Sequence, residues 1–234
     1  MSSLGGRKSQ PGHRSPRQRP TLNPERVLLA AVSLADDLGV GELSMRKLGE
    51  SLGVEAMSLY NHVANKDDLL DGMVDLVFSE IPLPAANLDW RSAMRERAIA
   101  VRAALSRHRW AIGLMESRRR PGAATLRHHD AVLGCLRIAG FSVELAAHAY
   151  SVLDSYIYGF ALNEQSLPFE TPEDVAMVGA SMLEQFPAEA YPHLSELIRE
   201  HAMRPGYDYA QEFEIGLDLI LDALERTVRG GRRR

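Results

Sequence analysis

The stretch from Met45 to Ala64, MRKLGESLGVEAMSLYNHVA, has the residue spacing of a helix-turn-helix. Gly49 has no side chain, so a second helix can pack closely across the first, and Gly53 can take the tight turn at little steric cost. Three apolar residues would form the core that fixes the angle between the helices: Leu48, Val54 and Leu59. Taken alone, the stretch also fits a short hairpin in a plain helical bundle.

The sequence around this stretch has helical apolar spacing and no run of strict alternation. Asn23-Pro24 predicts the start of a first helix, which Gly39 ends. Ser44 caps the second helix, the third begins near Val54 and extends to about His62, and a fourth begins near Lys66. After a proline-containing break, further helices are predicted at about 90–107, 109–118, 122–139, 142–165, 173–185, 192–202 and 208–228.

The predicted fold class is therefore all-α, with a small N-terminal helix-turn-helix bundle and a larger C-terminal bundle. Residues 1–21 are rich in Ser, Gly, Pro, Gln and Arg and are expected to form a disordered basic arm. We predict a DNA-binding domain at 22–80 and a second domain at 88–229.

The composition excludes several classes of protein. A chain of 234 residues with 45% hydrophobic residues is long and apolar enough for a packed core. Cys135 is the single cysteine, which excludes a disulfide framework and a multi-cysteine metal site. No apolar run approaches the roughly 18 residues of a membrane span, and the first twenty residues contain no hydrophobic block typical of a secretory signal. We expect a cytoplasmic protein without a membrane partner.

The charge distribution is unusual for a DNA-binding protein. The formal net charge is -4, and residues 22–78 contain four Lys/Arg against ten Asp/Glu. Residues 1–21 contain five Lys/Arg and no acid, so this arm could release counterions from DNA or reach a minor groove. A solvated tail without a DNA contact explains the same composition.

The outward face of the third helix can reach base edges and phosphates in a major groove. Its members are Glu55, Ala56, Met57, Ser58, Tyr60, Asn61 and His62. None of the base-facing residues 56–58 can make a strong bidentate contact, so readout is expected to use thymine methyl groups and DNA shape.

Residues 22–75, LNPERVLLAAVSLADDLGVGELSMRKLGESLGVEAMSLYNHVANKDDLLDGMVD, resemble the N-terminal domain of the tetracycline-repressor family of bacterial transcription regulators. Residues 139–165, AGFSVELAAHAYSVLDSYIYGFALNEQ, resemble the corresponding helix of the tetracycline-repressor branch. The resemblance implies a homodimer whose two third helices enter successive major grooves of a palindromic operator. It also implies action at the bacterial nucleoid.

The resemblance extends to individual DNA-contacting positions. It places Tyr60, His62 and Lys66 at phosphates, with Lys66 beside a helix N-terminus that attracts anions. Ser44 would both cap its helix and touch a phosphate, and Arg46 could reach a base edge or a phosphate. The alternatives are that Tyr60 packs on the core and that Lys66 is merely solvated.

The C-terminal bundle contains candidates for a small-ligand site. They are Trp110, Leu114, Met115, Ala147, Tyr150, Asp154 and Tyr158. An apolar and aromatic wall with few polar groups is typical of a ligand pocket and also of an ordinary core. The resemblance places Ala147, Tyr150 and Asp154 towards the family's pocket.

The expected ligand is a largely apolar or aromatic inducer bound without a metal or other cofactor. The tetracycline repressor holds its drug as a magnesium chelate, and the match puts Met115 at the histidine ligand and Asn163 at a metal-linked glutamate. His128, His129 and Asp130 cannot share one ion, because adjacent helical residues point in different directions.

Dimerisation is expected through helices 142–165 and 208–228. The second of these has an apolar stripe: Phe213, Leu217, Ile220, Leu221 and Leu224. The alternative is that this stripe faces only its own core.

The sequence therefore predicts a ligand-responsive transcriptional repressor that a small molecule releases from DNA. An activator of the same family is an alternative, as is a helical binding protein or enzyme that does not bind DNA. No nucleophile or oxyanion device accompanies Asp154, which is evidence against an enzyme. The operator, the regulated genes and the inducer are left open.

Overall fold

A computed structural model describes residues 21–85, 87–169 and 171–231. The predicted basic arm lies outside the described residues except for Thr21. The described residues contain helices and no strand. The α-helices are α1 Pro24–Leu38, α2 Met45–Leu52, α3 Ala56–Leu59, α4 Lys66–Glu80, α5 Trp90–Arg107, α6 Ala123–Ile138, α7 Val143–Ser166, α8 Pro172–Gln185, α9 Pro192–Leu197 and α10 Glu212–Gly231. None of these helices is long and apolar enough to cross a membrane.

Helices α1, α2 and α4 begin at residues whose side chains cap them. The Asn23 side chain accepts from the backbone N–H of Arg26 at 2.8 Å, and Ser44 does the same for α2. Asn65 caps α4, because its side chain accepts from the backbone N–H of Asp68 at 2.9 Å. Gly39 and Gly53 end α1 and α2 with positive φ angles of 82° and 68°. These boundaries confirm the predicted ones.

The third helix is shorter than the predicted range of about 54–62. Glu55 is extended, the α-helical residues are Ala56–Leu59, and the chain continues in tight turns to His62. The backbone N–H of His62 bonds to the carbonyl of Leu59 at 2.9 Å, three residues back instead of four. This tighter turn still brings Val63 into the core beside Leu59.

The predicted helix at 109–118 is wrong beyond a 3₁₀ turn at Arg109–Ala111. The indole N–H of Trp110 donates to the carboxylate of Asp36 on α1 at 2.6 Å, which fastens this turn to another helix. Residues 112–117 continue as turns. Near the C-terminus, a π turn at Ile198–Ala202 replaces the last part of the helix predicted at 192–202.

We call α1–α4 the head and α5–α10 the body. One continuous apolar core extends through both, and α4 packs along α6. The predicted domain ranges 22–80 and 88–229 remain a prediction, although the chain between α4 and α5 contains no helix in its described part. The body therefore contacts the helix that follows the helix-turn-helix.

Candidate functional site

The helix pair α2–α3 is held together by a glycine contact. A Cβ at Gly49 would lie 2.8 Å from the backbone oxygen of Val54 and 3.2 Å from the backbone nitrogen of Ala56. Leu48 and Leu59 are fully buried beneath this contact. The pair thus has the close crossing that the glycine spacing predicts, with α3 mounted on the head core.

The ten residues predicted to contact DNA all keep some exposure. The exposed ones are Arg46, Glu55, Met57, Tyr60, Asn61 and Lys66, and the half-buried ones are Ser44, Ala56, Ser58 and His62. Met57 is 75% exposed and Tyr60 is 45% exposed, so both side chains are accessible to a partner. We call these ten residues the reading face.

The two cationic residues of the reading face, Lys66 and Arg46, differ in their neighbours. Lys66 is exposed and is the first residue of α4, whose N-terminus itself attracts anions. Arg46 lies 3.7 Å from Glu50 in an exposed pair four residues apart on α2. Such a pair contributes little to stability, so Arg46 can exchange Glu50 for a phosphate.

Several acids of the head join the head to the body. Asp36 accepts from the indole N–H of Trp110, and Asp71 accepts from Arg118 at 2.5 Å. Asp75 accepts from the backbone N–H of Thr125 at 2.7 Å and so caps α6 from a neighbouring helix. The negative charge of residues 22–78 therefore lies partly on the side of the head that faces the body.

The body brings together some of the predicted ligand residues. Asp154 is buried and Tyr150 and Tyr158 are half-buried on α7, and the hydroxyl of Tyr158 donates to Glu116 at 3.1 Å. Met115 is buried and lines a cavity of about 110 Å³ beside His129. These residues lie at the junction of α4, α6, α7 and the turns at 112–121.

The other predicted ligand residues lie elsewhere or at the margin. Trp110 is buried, but its indole N–H is directed to Asp36 of the head. Leu114 is half-buried in the turns that follow Trp110. Ala147 is exposed on α7, away from the buried side of that helix. The ligand-binding role of all seven residues stays a prediction.

Sequence reasoning missed a buried cation, Arg97. Its guanidinium is 2% exposed, donates to Asp154 Oδ1 at 2.6 Å and lies 5.5 Å from the ring centroid of Tyr150. Asp154 lies on the apolar side of the long helix α7, and a buried acid requires a buried partner. That requirement could have indicated a buried cation from the sequence. Arg97 follows Met94 by three residues on α5, and both side chains face inward.

Burial determines the protonation of the groups around this pair. Burial, helped by the charge of Arg97, lowers the pKa of His128 to about 3, so its imidazole is neutral at physiological pH. Burial and the neighbouring Asp154 raise the pKa of Tyr150 and of Tyr158 above the ordinary range. Within the described ranges, no group of three or more His, Cys, Asp or Glu residues is arranged to hold a metal ion.

Comparison with known proteins gives consistent matches over most of the chain. A family model described as "Tetracyclin repressor-like, C-terminal domain" matches residues 83–228. The chain is 34% identical over 220 residues to the HTH-type transcriptional repressor DrrR1 of Streptomyces coeruleorubidus, covering 90% of this chain and 80% of that protein. It is 35% identical over 211 residues to the tetracycline repressor protein class A from transposon 1721 of Escherichia coli, covering 88% and 91%.

Solved structures match the fold over a similar length. A possible TetR family transcriptional regulator from Streptomyces coelicolor A3(2) superposes with a TM-score of 0.72 at 31% identity, covering 88% of this chain and 100% of that chain. The Streptomyces coelicolor TetR family protein ActR in complex with actinorhodin gives a TM-score of 0.73 at 28% identity, covering 89% and 99%.

Proposed function

The chain belongs to the tetracycline-repressor family of transcriptional regulators, and from this premise we propose that it represses transcription by binding a palindromic operator as a homodimer. It is a regulator rather than an enzyme, and the related repressors and the ligand-bound ActR structure support a ligand-responsive repressor. In this proposal the protein acts in the cytoplasm at the nucleoid, and an apolar or aromatic inducer releases it from DNA.

The observation that carries the proposal is the exposed reading face above the glycine contact of α2 and α3. Gly49 fixes the position of α3, while Met57, Tyr60 and Lys66 stay exposed at one edge of the head. The exposed side chains of Met57 and Tyr60 are therefore accessible to DNA at this edge of the head. Phosphate contacts from Tyr60 and Lys66 would set the register, and residues 56–58 would meet the bases.

A two-fold dimer would use the outer faces of α7 and α10. The stripe predicted for dimerisation lies in the chain's own core, since Phe213, Leu217 and Leu221 are fully buried. The opposite face of α10 exposes Ile215 and Leu219, which are one helical turn apart. Helix α7 also exposes, together with His148, mostly small or apolar residues: Ala147, Ser151, Val152, Ser155, Gly159 and Leu162. Two such helices from each protomer would form a four-helix interface.

Ligand release would act through the contacts between head and body. Arg118 ties the turns at 112–121 to Asp71 of α4, and Asp75 of α4 caps α6. A ligand that moves these turns or α6 therefore changes the position of α4, to which the helix-turn-helix is packed. The ligand weakens operator binding if it has higher affinity for the displaced arrangement.

The basic arm would add salt-dependent contacts to DNA. Its five Lys/Arg can release counterions, so deleting residues 1–20 should lower the slope of log Kd against log salt by up to about 4.5 per arm, or about 9 for the two arms of a homodimer. An unchanged slope would exclude a role of the arm in DNA binding.

The proposal is tested by fluorescence anisotropy on duplex DNA from upstream of the protein's own gene. Tyr60→Ala removes a contact to a charged phosphate, which lowers affinity about tenfold to a hundredfold. The matched control is Tyr191→Ala on the body, because Tyr191 has a similar exposed fraction of 55%. Equal operator affinity of Tyr60→Ala and the wild type, with both dimeric by gel filtration, would overturn the proposed reading face.

A further inference from the structure

Several buried polar atoms inside the body have no hydrogen-bond partner among the described residues. Nη2 of Arg97 pairs with Asp154 Oδ1, but Nε and Nη1 of the same guanidinium are unpartnered. The same holds for Asp154 Oδ2, the Tyr150 hydroxyl, both ring nitrogens of His128 and Nε2 of His129. Folded proteins leave few such groups unsatisfied, because each one costs free energy. Their concentration in one place indicates a ligand-binding function.

These groups form one cluster that touches the head. The ring centroid of Tyr150 is 5.4 Å from that of His129 and 5.5 Å from the Arg97 guanidinium. The Phe78 ring of α4 lies 5.4 Å from both His128 and His129. A molecule bound here would therefore contact aromatic rings and press on the helix that connects the head to the body.

The cluster has an approach through the cavity of about 110 Å³. His129 belongs to both the cluster and the cavity wall, and Met115 is another wall residue. The cavity is smaller than the roughly 300 Å³ or more of typical small-molecule sites, so a ligand enters by displacing side chains. Met115 is suited to this, since its unbranched chain adapts to new shapes.

The charges of the cluster define the ligand's chemistry. Arg97 and Asp154 neutralise each other, and His128 is neutral at physiological pH because burial lowers its pKa to about 3. An anionic ligand would bring an unbalanced charge into this buried site. The free N–H groups of Arg97 need an acceptor. Asp154 Oδ2 interacts with the nearby Tyr150 hydroxyl but has no hydrogen bond of normal length, so it can accept from a donor.

Resting on the proposed function, we propose that the inducer is a neutral aromatic molecule with a carbonyl oxygen for Arg97 and a hydroxyl group for Asp154. Its rings lie against Tyr150 and Phe78. This refines the expectation of a largely apolar ligand, because the buried end of the molecule is polar.

Isothermal titration calorimetry with three probes that share one rigid fused-ring system tests the proposal. The first probe, 2-hydroxy-9-fluorenone, has a carbonyl acceptor and a hydroxyl donor. The second, fluorene, has neither group. The third, 9-fluorenone-2-carboxylate, has the carbonyl and an anionic carboxylate. The hydroxyketone is expected to bind at least about tenfold more tightly than fluorene, since its hydrogen bonds reach charged groups that are already desolvated. It also binds more tightly than the carboxylate. Equal or tighter binding of fluorene or the carboxylate overturns the proposal, as does binding of none of the three.

A pair of double variants links the preference to the cluster. Arg97→Met with Asp154→Leu replaces the buried pair by apolar side chains and should reduce the preference for the hydroxyketone over fluorene to less than about threefold. Arg102→Met with Glu164→Leu removes another ion pair between α5 and α7, and this control keeps the preference. A preference that survives the first double variant contradicts the proposal. If the first double variant does not fold, the wild-type probe series decides.

Operator binding measured on the wild type separates this inference from the proposed function. A wild type that binds its operator specifically but shows no preference among the probes refutes the ligand chemistry alone. A wild type that binds no DNA sequence specifically refutes the proposed function, whatever the probes show.

Discussion

Replacing Gly49 by alanine perturbs the contact on which the helix-turn-helix depends. The new Cβ would lie 2.8 Å and 3.2 Å from backbone atoms of Val54 and Ala56, where α3 begins. These atoms cannot rotate away as a side-chain terminus can, so α3 itself must shift. Overpacking of this kind costs about 1–3 kcal/mol, and alanine recovers about 1 kcal/mol of helix propensity within α2. The expected net loss of stability is about 0–2 kcal/mol.

Thermal unfolding and operator binding at one fixed protein concentration measure both consequences. For a chain of this length, the loss corresponds to a decrease in Tm of up to about 8 °C. Operator affinity should fall at least about tenfold, because the displaced α3 carries the residues that face the bases.

Gly41→Ala is the matched control for this prediction. A Cβ at Gly41 meets no atom within 4 Å, and the φ angle of Gly41 is not positive. We expect this variant to gain about 0.4–1 kcal/mol by restricting the unfolded chain. If Gly49→Ala were as stable as Gly41→Ala and bound the operator like the wild type, the close crossing of α2 and α3 would be refuted.

Two further predictions concern the junction of head and body. Asp75→Ala removes the cap that α4 provides to α6 and should lower the free energy of unfolding by about 1–3 kcal/mol in urea. The control Ser142→Ala removes a cap within the body, at the start of α7, and should lower the free energy of unfolding by about 1 kcal/mol while operator affinity stays unchanged. A larger loss of stability for Ser142→Ala than for Asp75→Ala would contradict the role assigned to Asp75. His128→Leu should remove a pH dependence of stability. In the unfolded chain this histidine takes up a proton below about pH 6.5, whereas in the folded protein it does so only near pH 3. As the pH is lowered through this window, the free energy of unfolding of the wild type should decrease by up to about 1.4 kcal/mol per pH unit. Equal losses for wild type and variant between pH 7 and pH 5 would show that His128 is not the group responsible.

Elements determined by nearby residues were predictable from the sequence. Asn23, Ser44 and Asn65 cap their own helices, and Gly39 and Gly53 end theirs, so the boundaries of α1 and α2 and the start of α4 follow from local chemistry. The spacing of apolar residues also predicted the long helices α5, α6 and α7 to within two residues at each end.

Features that depend on tertiary contacts were not predictable. The helix expected at 109–118 stops because Trp110 is fastened to Asp36, which is 74 residues away in sequence. Arg97 is one of several arginines on α5, and only the register of α7 shows that it faces Asp154. The acidic residues Asp71 and Asp75 of the head likewise have partners that are distant in sequence, because they accept hydrogen bonds from Arg118 and Thr125 of the body.

The central claim is that the chain binds DNA through two equivalent reading faces, and a selection from random duplexes tests it most directly. The wild-type protein should enrich a two-fold symmetric sequence whose half-sites are about one helical turn apart or a multiple of it. At equal protein concentration the Tyr60→Ala protein should enrich the same sequence more weakly, because losing a phosphate contact lowers affinity and leaves the base contacts in place. A wild type that enriches no sequence, or only one without two-fold symmetry, would contradict the claim.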